Sequence, residues 1–151
     1  MTISAPVAAS RLLSPRAART FYNAADALVP PGPRGEPGGG DLDLVPELER
    51  RLRFEGVGAV RRLWLLLALL EAQPLVTLRA RCGFSWLPRE ERRRLLDAWL
   101  RSRISVRRRA AAWLAELVDR CHAASAATSA APRPDLPGGP TSPPRCGRMG
   151  P

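Results

Sequence analysis

Lysine is absent from this chain: all 24 of its cationic residues are arginine, set against 14 acids for a net charge of +10. Phosphate-binding surfaces ordinarily mix the two cations. Arginine alone, beside abundant alanine, glycine and proline, points to compositional bias of the source genome, so the charge by itself is poor evidence for nucleic-acid binding. Histidine is nearly absent too. His122 is the sole imidazole, which excludes a metal cluster built on histidines and leaves one candidate for any Cys-His catalytic pair. The cysteines Cys82, Cys121 and Cys146 are odd in number, widely spaced and without a CxxC pair, so no disulfide framework or haem attachment is implied. They read as two helix-packing thiols and one tail thiol.

Long apolar runs are missing as well. The densest, Leu63 to Leu70, is bounded by Arg61, Arg62 and Glu71, whereas a membrane span needs about 20 such residues. It is read as a buried helix. Met1 to Ser10 shows neither a basic region before an apolar core nor a twin-arginine pair, so no export signal is visible and a cytoplasmic location is expected. Nowhere do β-branched or aromatic residues alternate with polar ones over a strand's length, which excludes a sheet.

What remains is helical. A chain of 151 residues with 45% hydrophobic content can build one core, and the expected fold is all-α, a compact bundle of about five helices spanning 12–122. Residues 1–11 are expected to be a flexible N-terminus. Ser14-Pro15 starts the first helix, with a capping hydroxyl ahead of proline, and Ala18, Phe21, Tyr22, Ala25, Leu28 and Val29 form its stripe up to Pro30-Pro31-Gly32. A flexible loop, 30–42, follows. Asp41 or Asp43 can cap a second helix with Leu48 and Leu52 inward and Glu47, Glu49, Arg50, Arg51 and Arg53 toward water. Gly56 and Gly58 mark the break into a helix from about Ala59 to Ala72, ending ahead of Pro74. Being apolar nearly all round, it should lie in the middle of the bundle.

A short helical or irregular piece, Leu75 to Gly83, leads to a fourth helix opened by Pro88, in which Leu87, Leu95, Leu96, Trp99 and Leu100 recur at helical spacing and Glu91 is the exception. Ser105 is placed to cap a last helix with the stripe Val106, Ala110, Trp113, Leu114, Leu117, Val118 and Cys121, ending near His122, where a cation favours the helix dipole. Residues 123–151 are rich in Ala, Pro and Gly and cannot bury enough apolar surface to offset ordering, so a disordered tail is expected.

The chemistry-bearing candidates are few. Gly38-Gly39-Gly40-Asp41 before a helix faintly suggests a phosphate cradle but lacks a preceding strand, GxGxxG spacing and a Walker lysine. The pairs Glu47/Glu49 and Glu90/Glu91 stand in first helical turns, where acids offset the dipole. Between Arg89 and Arg109, nine arginines face three acids. Arg107, Arg108 and Arg109 open a helix, where positive charge is disfavoured, and so lean toward a partner surface. Phe84 and Trp86 join them as contact candidates, although Trp86 reads better as core.

Two blocks carry a family resemblance. Leu13-Ser14-Pro15 with Ala24-Ala25-Asp26-Ala27-Leu28-Val29-Pro30 is the first, and Phe84 to Ser102 the second, with Asp26, Leu28, Pro30, Phe84, Leu87, Trp99 and Ser102 as the matching positions. In order and spacing they resemble the small-subunit family named after gluconate 2-dehydrogenase subunit 3, over about Leu12 to His122. The resemblance implies a small, mostly helical bacterial subunit, not an enzyme, that binds a flavin-bearing oxidoreductase of the glucose-methanol-choline type, in some cases with a cytochrome c. FAD would sit in the partner, with no cofactor and no metal in this chain. It also implies a role in maturation or co-export, which would make the location periplasmic. The missing twin-arginine signal departs from that pattern, as do Pro88 in place of a capping Ser or Thr and Cys121-His122 in place of tyrosines. The alternatives are a small arginine-rich helical protein that binds nucleic acid, and a remnant of a longer oxidase.

Overall fold

The computed structural model describes residues 12–76 and 82–130. Among them are five α-helices, α1 (Pro15–Leu28), α2 (Val45–Glu55), α3 (Val57–Val76), α4 (Arg89–Leu100) and α5 (Ser105–Ala130), with a 3-10 turn at Phe84–Trp86 between α3 and α4. No strand occurs among the described residues. The all-α bundle expected from the sequence is the fold observed.

α1 begins as its residues dictate. Ser14 accepts the Ala17 N–H (3.2 Å) and Pro15 occupies the first turn, a position where its missing N–H costs nothing. Its buried side chains are small, Ala17, Ala24, Ala25 and Ala27 beside Phe21, so neighbouring helices can approach closely. α1 packs on all four other helices and on the 3-10 turn. It, and not α3, is the centre of the bundle.

α3 therefore corrects the expectation drawn from its apolar run. Leu63, Leu66, Leu67, Leu70 and Pro74 are buried, but Leu65 (59% exposed), Leu69 (63%) and Val76 (78%) are not. A helix apolar on every side carries no directional preference, so its sequence could not say which side the bundle would cover. The helix also runs two residues past Pro74. That proline lies in the last turn with its ring fully buried, where it deletes only the donor for a carbonyl four residues back.

The break between α2 and α3 falls at Gly56, whose φ of 85° is the left-handed conformation glycine adopts freely. Its N–H donates to Leu52 O (3.0 Å) and its carbonyl accepts from Ala59 and Val60. Asp43 accepts the Val45 N–H (3.3 Å) at the start of α2, whereas Asp41 turns to Gly38 N–H (2.7 Å). Glu49 does not point to water: its Oε1 takes the N–H groups of Leu12 and Leu13 (3.0 and 3.3 Å) and holds the entry to α1.

The segment 30–42 is likewise built rather than loose. Gly39 N–H donates to Val29 O (2.8 Å), Tyr22 Oη to Gly40 O (2.6 Å), and a Cβ on Gly39 would overlap the Ala25 carbonyl. The glycines are there so that backbone can lie against the end of α1. A Cβ on Gly40 would come 2.6 Å from Asp26 Oδ1; carbonyls and a carboxylate face these residues, which opposes the phosphate-cradle reading.

At the other end, Ser105 is already helical. The turn before α5 is held by Ser102, whose Oγ accepts the Ile104 N–H (3.2 Å), and Arg108 N–H donates to Ile104 O (3.1 Å). Val106 is 66% exposed and leaves the predicted stripe, while Ala111, Leu114, Leu117, Val118 and Cys121 are buried. α5 continues eight residues beyond His122, through Ala123–Ala130, because alanine is the strongest helix former. His122 is thus no terminus; its Nε2 lies 2.8 Å from Pro37 O and ties α5 to the glycine segment. Cys82 is half-buried in the bend before the 3-10 turn rather than in a helix. The expectations for 1–11, for the rest of the tail and Cys146, and for 77–81 within the Leu75–Gly83 piece lie outside the described residues.

Candidate docking surface

The contact candidates read from the sequence separate in space. Phe84 is completely buried and cannot meet a partner: it opens a tight turn whose first side chain drops into the core between α1 and α3. Trp86, two residues on, is 69% exposed, the reverse of the core reading, because a three-residue turn rotates its third side chain away from its first. Arg107, Arg108 and Arg109 are exposed at the start of α5; Arg108 reaches back to Ser102 O (3.1 Å). Trp86 stands on the α1–α3 side, whereas α5 packs on α4, α2 and α1.

The positions behind the family resemblance are mostly scaffold. Arg92 spans α4 to α1 with Nη1 on Asn23 Oδ1 (2.6 Å) and Asn23 O (3.1 Å) and Nη2 3.4 Å from Asp26. Arg89 donates to the Asp26 carbonyl (2.8 and 3.0 Å) and lies 3.4 Å from its carboxylate. The two blocks are thereby pinned together. Phe84, Leu87 and Trp99 are core, Leu28 and Ser102 are half-buried, and Pro30 is exposed.

The surface that sequence reasoning missed is the outer side of α3. Arg61, Leu65, Ala68, Ala72 and Val76 follow one another at three- and four-residue intervals and are all exposed, with Trp64, Leu69 and Leu75 beside them. Where this side meets α1 there is a groove of about 290 Å³, lined on one wall by Trp64, Leu67, Ala68, Ala72 and Leu75 and on the other by Arg16, Ala17 and Thr20. Among the described residues nothing covers these apolar side chains.

Glu71 forms the floor. It is 6% exposed, and its Oε2 accepts from Ser85 Oγ (2.7 Å) and Ser85 N–H (3.1 Å) and lies 3.2 Å from Thr20 Oγ1. A carboxylate at a buried site is tolerable only with such donors. Together they lock α3, α1 and the 3-10 turn, and so fix the direction of Trp86. Its ring is capped by the Arg19 guanidinium, 5.3 Å from the centroid. A lone acid closing an apolar run, followed by Gly-Phe-Ser, is the only trace of this lock in the sequence.

Some charges elsewhere are paired. Glu47 binds Arg50 and Arg51 (2.7 and 2.8 Å), and the hydrogen bond from Arg50 holds its carboxyl below the usual range. Burial pushes the Cys121 thiol up to about 11, so it is a packing group and not a nucleophile. Arg16, Arg19 and Arg61 have no ion-pair partner among the described residues. The described residues hold no group of three or more His, Cys, Asp or Glu side chains placed for a metal, and no helix among them is long and apolar enough to cross a membrane.

Compared with family models, curated proteins and solved structures, the chain matches none. The reading of function accordingly rests on this surface and on the two sequence blocks.

Proposed function

We propose that the chain is a non-catalytic accessory subunit that docks on a flavin-dependent sugar or alcohol oxidoreductase of the glucose-methanol-choline type, with FAD carried by that partner. The observation that carries the docking role is the uncovered apolar side of α3, with Leu65, Leu69 and Val76 more than half exposed. Full burial of each such side chain is worth about 1.5–3 kcal/mol, a stabilisation this bundle forgoes and a partner would supply. The flavin partner follows from the resemblance of the two blocks. A cytochrome c belongs to the same reading as a further member of the complex.

The experiment is co-expression of the full chain with a flavin-dependent oxidoreductase of the glucose-methanol-choline type from the same organism. The complex should elute together with flavin absorbance, and the flavoprotein's melting temperature should rise with the concentration of free chain, since a ligand of the folded state stabilises it. The absence of both co-elution and a shift would remove the reading.

One observation favours a second reading, nucleic-acid binding: Arg103, Arg107 and Arg109 are exposed at the start of α5 and without an acidic partner among the described residues. Retention of RNA or DNA that falls steeply with salt would support it, and salt-insensitive or absent retention would dismiss it.

A further inference from the structure

We infer that the α1–α3 groove receives an amphipathic helix of the partner, with apolar residues on the side that enters the groove and acidic residues along its edges. The inference rests on the accessory-subunit reading and goes beyond it by saying where contact is made and with what chemistry.

Three features of the groove fix the occupant. The first is shape. Among the described residues α3 is packed on one side only, and the groove beside it has small residues, Ala17 on one wall and Ala68 and Ala72 on the other, which let another backbone come close. Two neighbouring helices with a trough between them present ridges and holes for a third, the arrangement by which an apolar helix face seats through anchors at i, i+3, i+4 and i+7. Trp64 and Leu75 line the groove with partly exposed side chains for those anchors, and Leu65 and Leu69 carry the apolar surface on round the outer side of α3.

Charge is the second. Arg16 and Arg19 on α1 border the groove and the Trp86 side, and Arg61 stands at its α3 end. The acids of these two helices are already used: Asp26 is held by Arg89 and Arg92, and Glu71 is buried under Ser85 and Thr20. α1 and α3 therefore offer exposed cations and no exposed acid. Their complement is a partner with acids flanking an apolar stripe.

The third removes a second copy of this chain. A two-fold interface would place this groove against itself, bringing Arg16, Arg19 and Arg61 of each copy together in a protein whose net charge is already +10. A lipid surface shares the preference for arginine and tryptophan but is flat on this scale, and the trough would stay empty.

The test uses the full chain co-expressed with the flavoprotein, in four forms: wild type, Ala68→Glu in the groove wall, the pair Arg16→Glu/Arg19→Glu, and the triple Arg107→Glu/Arg108→Glu/Arg109→Glu. Each isolated variant is first shown by circular dichroism to keep its helix content. Ala68→Glu and the Arg16/Arg19 reversal should each weaken the complex by about tenfold or more, while the α5 triple stays within about twofold of wild type. Hydrogen exchange on the wild-type complex should show protection gained in α3 and the first turns of α1, and in a helical, acid-flanked segment of the flavoprotein. If the wild-type complex forms but Ala68→Glu and the reversal bind as well as wild type, the groove inference is overturned and the accessory reading stands. If no wild-type complex forms, both fall. Vesicles of phosphatidylglycerol and phosphatidylcholine serve as the competing surface; binding to them that is abolished by Ala68→Glu would assign this side of α3 to lipid and overturn the inference.

Discussion

Both sides of α3 carry leucines, and their roles are opposite. Leu70 is wholly buried and Leu69, its neighbour in the chain, is 63% exposed; Leu66 is buried and Leu65 is 59% exposed. Hydrophobicity alone does not separate them. What separates them is α1, whose alanines let it sit at the centre and cover one side of α3 while nothing in the described chain covers the other. An apolar side chain thus reports on a fold only once its neighbour is known. The same residue type stabilises this chain on one side and is available to a partner on the other.

Substitution can break this comparison, most strongly at the leucines. Leu70→Ala should cost about 2–5 kcal/mol, the transfer term plus an unfilled cavity, whereas Leu69→Ala should stay within about 0.5 kcal/mol, as expected of a surface change. Urea unfolding of the two variants measures the difference. Equal losses would mean that the outer side is covered within this chain.

The next effect in size belongs to Glu71, which closes the inner side. Glu71→Ala leaves the Ser85 N–H and hydroxyl without their acceptor, and a cost of about 1–3 kcal/mol is expected. Trp86 should then lose its fixed setting, read as a drop in tryptophan anisotropy. Smaller again is Arg19→Ala, which removes the guanidinium from the exposed Trp86 ring; about 0.5–1 kcal/mol is expected, with a change in Trp86 emission and unaltered helix content.

The titrating groups lie away from α3 and give the smallest, control effects. The Cys121 thiol is raised from 9.0 to about 11 by burial, so the folded state holds its proton more tightly than the unfolded one. That contribution is intact below about pH 9 and is lost as pH rises toward about 11. Cys121→Ala should flatten this limb of the stability curve. Glu47 runs the other way: its pKa is lowered from 4.5, chiefly by the Arg50 hydrogen bond. Its contribution is therefore present above pH 4.5 and fades as the solution is acidified below it. Leu69→Ala should leave both limbs unchanged.

Much of the bundle was legible because its signals are local. Ser14-Pro15, the Gly56 break and the spacing of Leu96 and Trp99 are decided by neighbours within a turn or two. The misreadings share a different cause. Which side of α3 is covered, that Phe84 is core while Trp86 is exposed, and that Gly38–Gly40 lie on the end of α1 are all set by residues distant in sequence. The extension of α5 to Ala130 is a local signal undervalued: alanine contributes little to a core but much to a helix. The outer α3 surface could not be found from periodicity, since a helix apolar all round has no period to read.

The most direct measurement of the central claim is the unfolding free energy and the partner affinity of one variant, Leu69→Glu, determined together. The account predicts a chain within about 0.5 kcal/mol of wild type that no longer co-elutes with the flavoprotein. A variant that is strongly destabilised, or one that is stable and still binds, would contradict it.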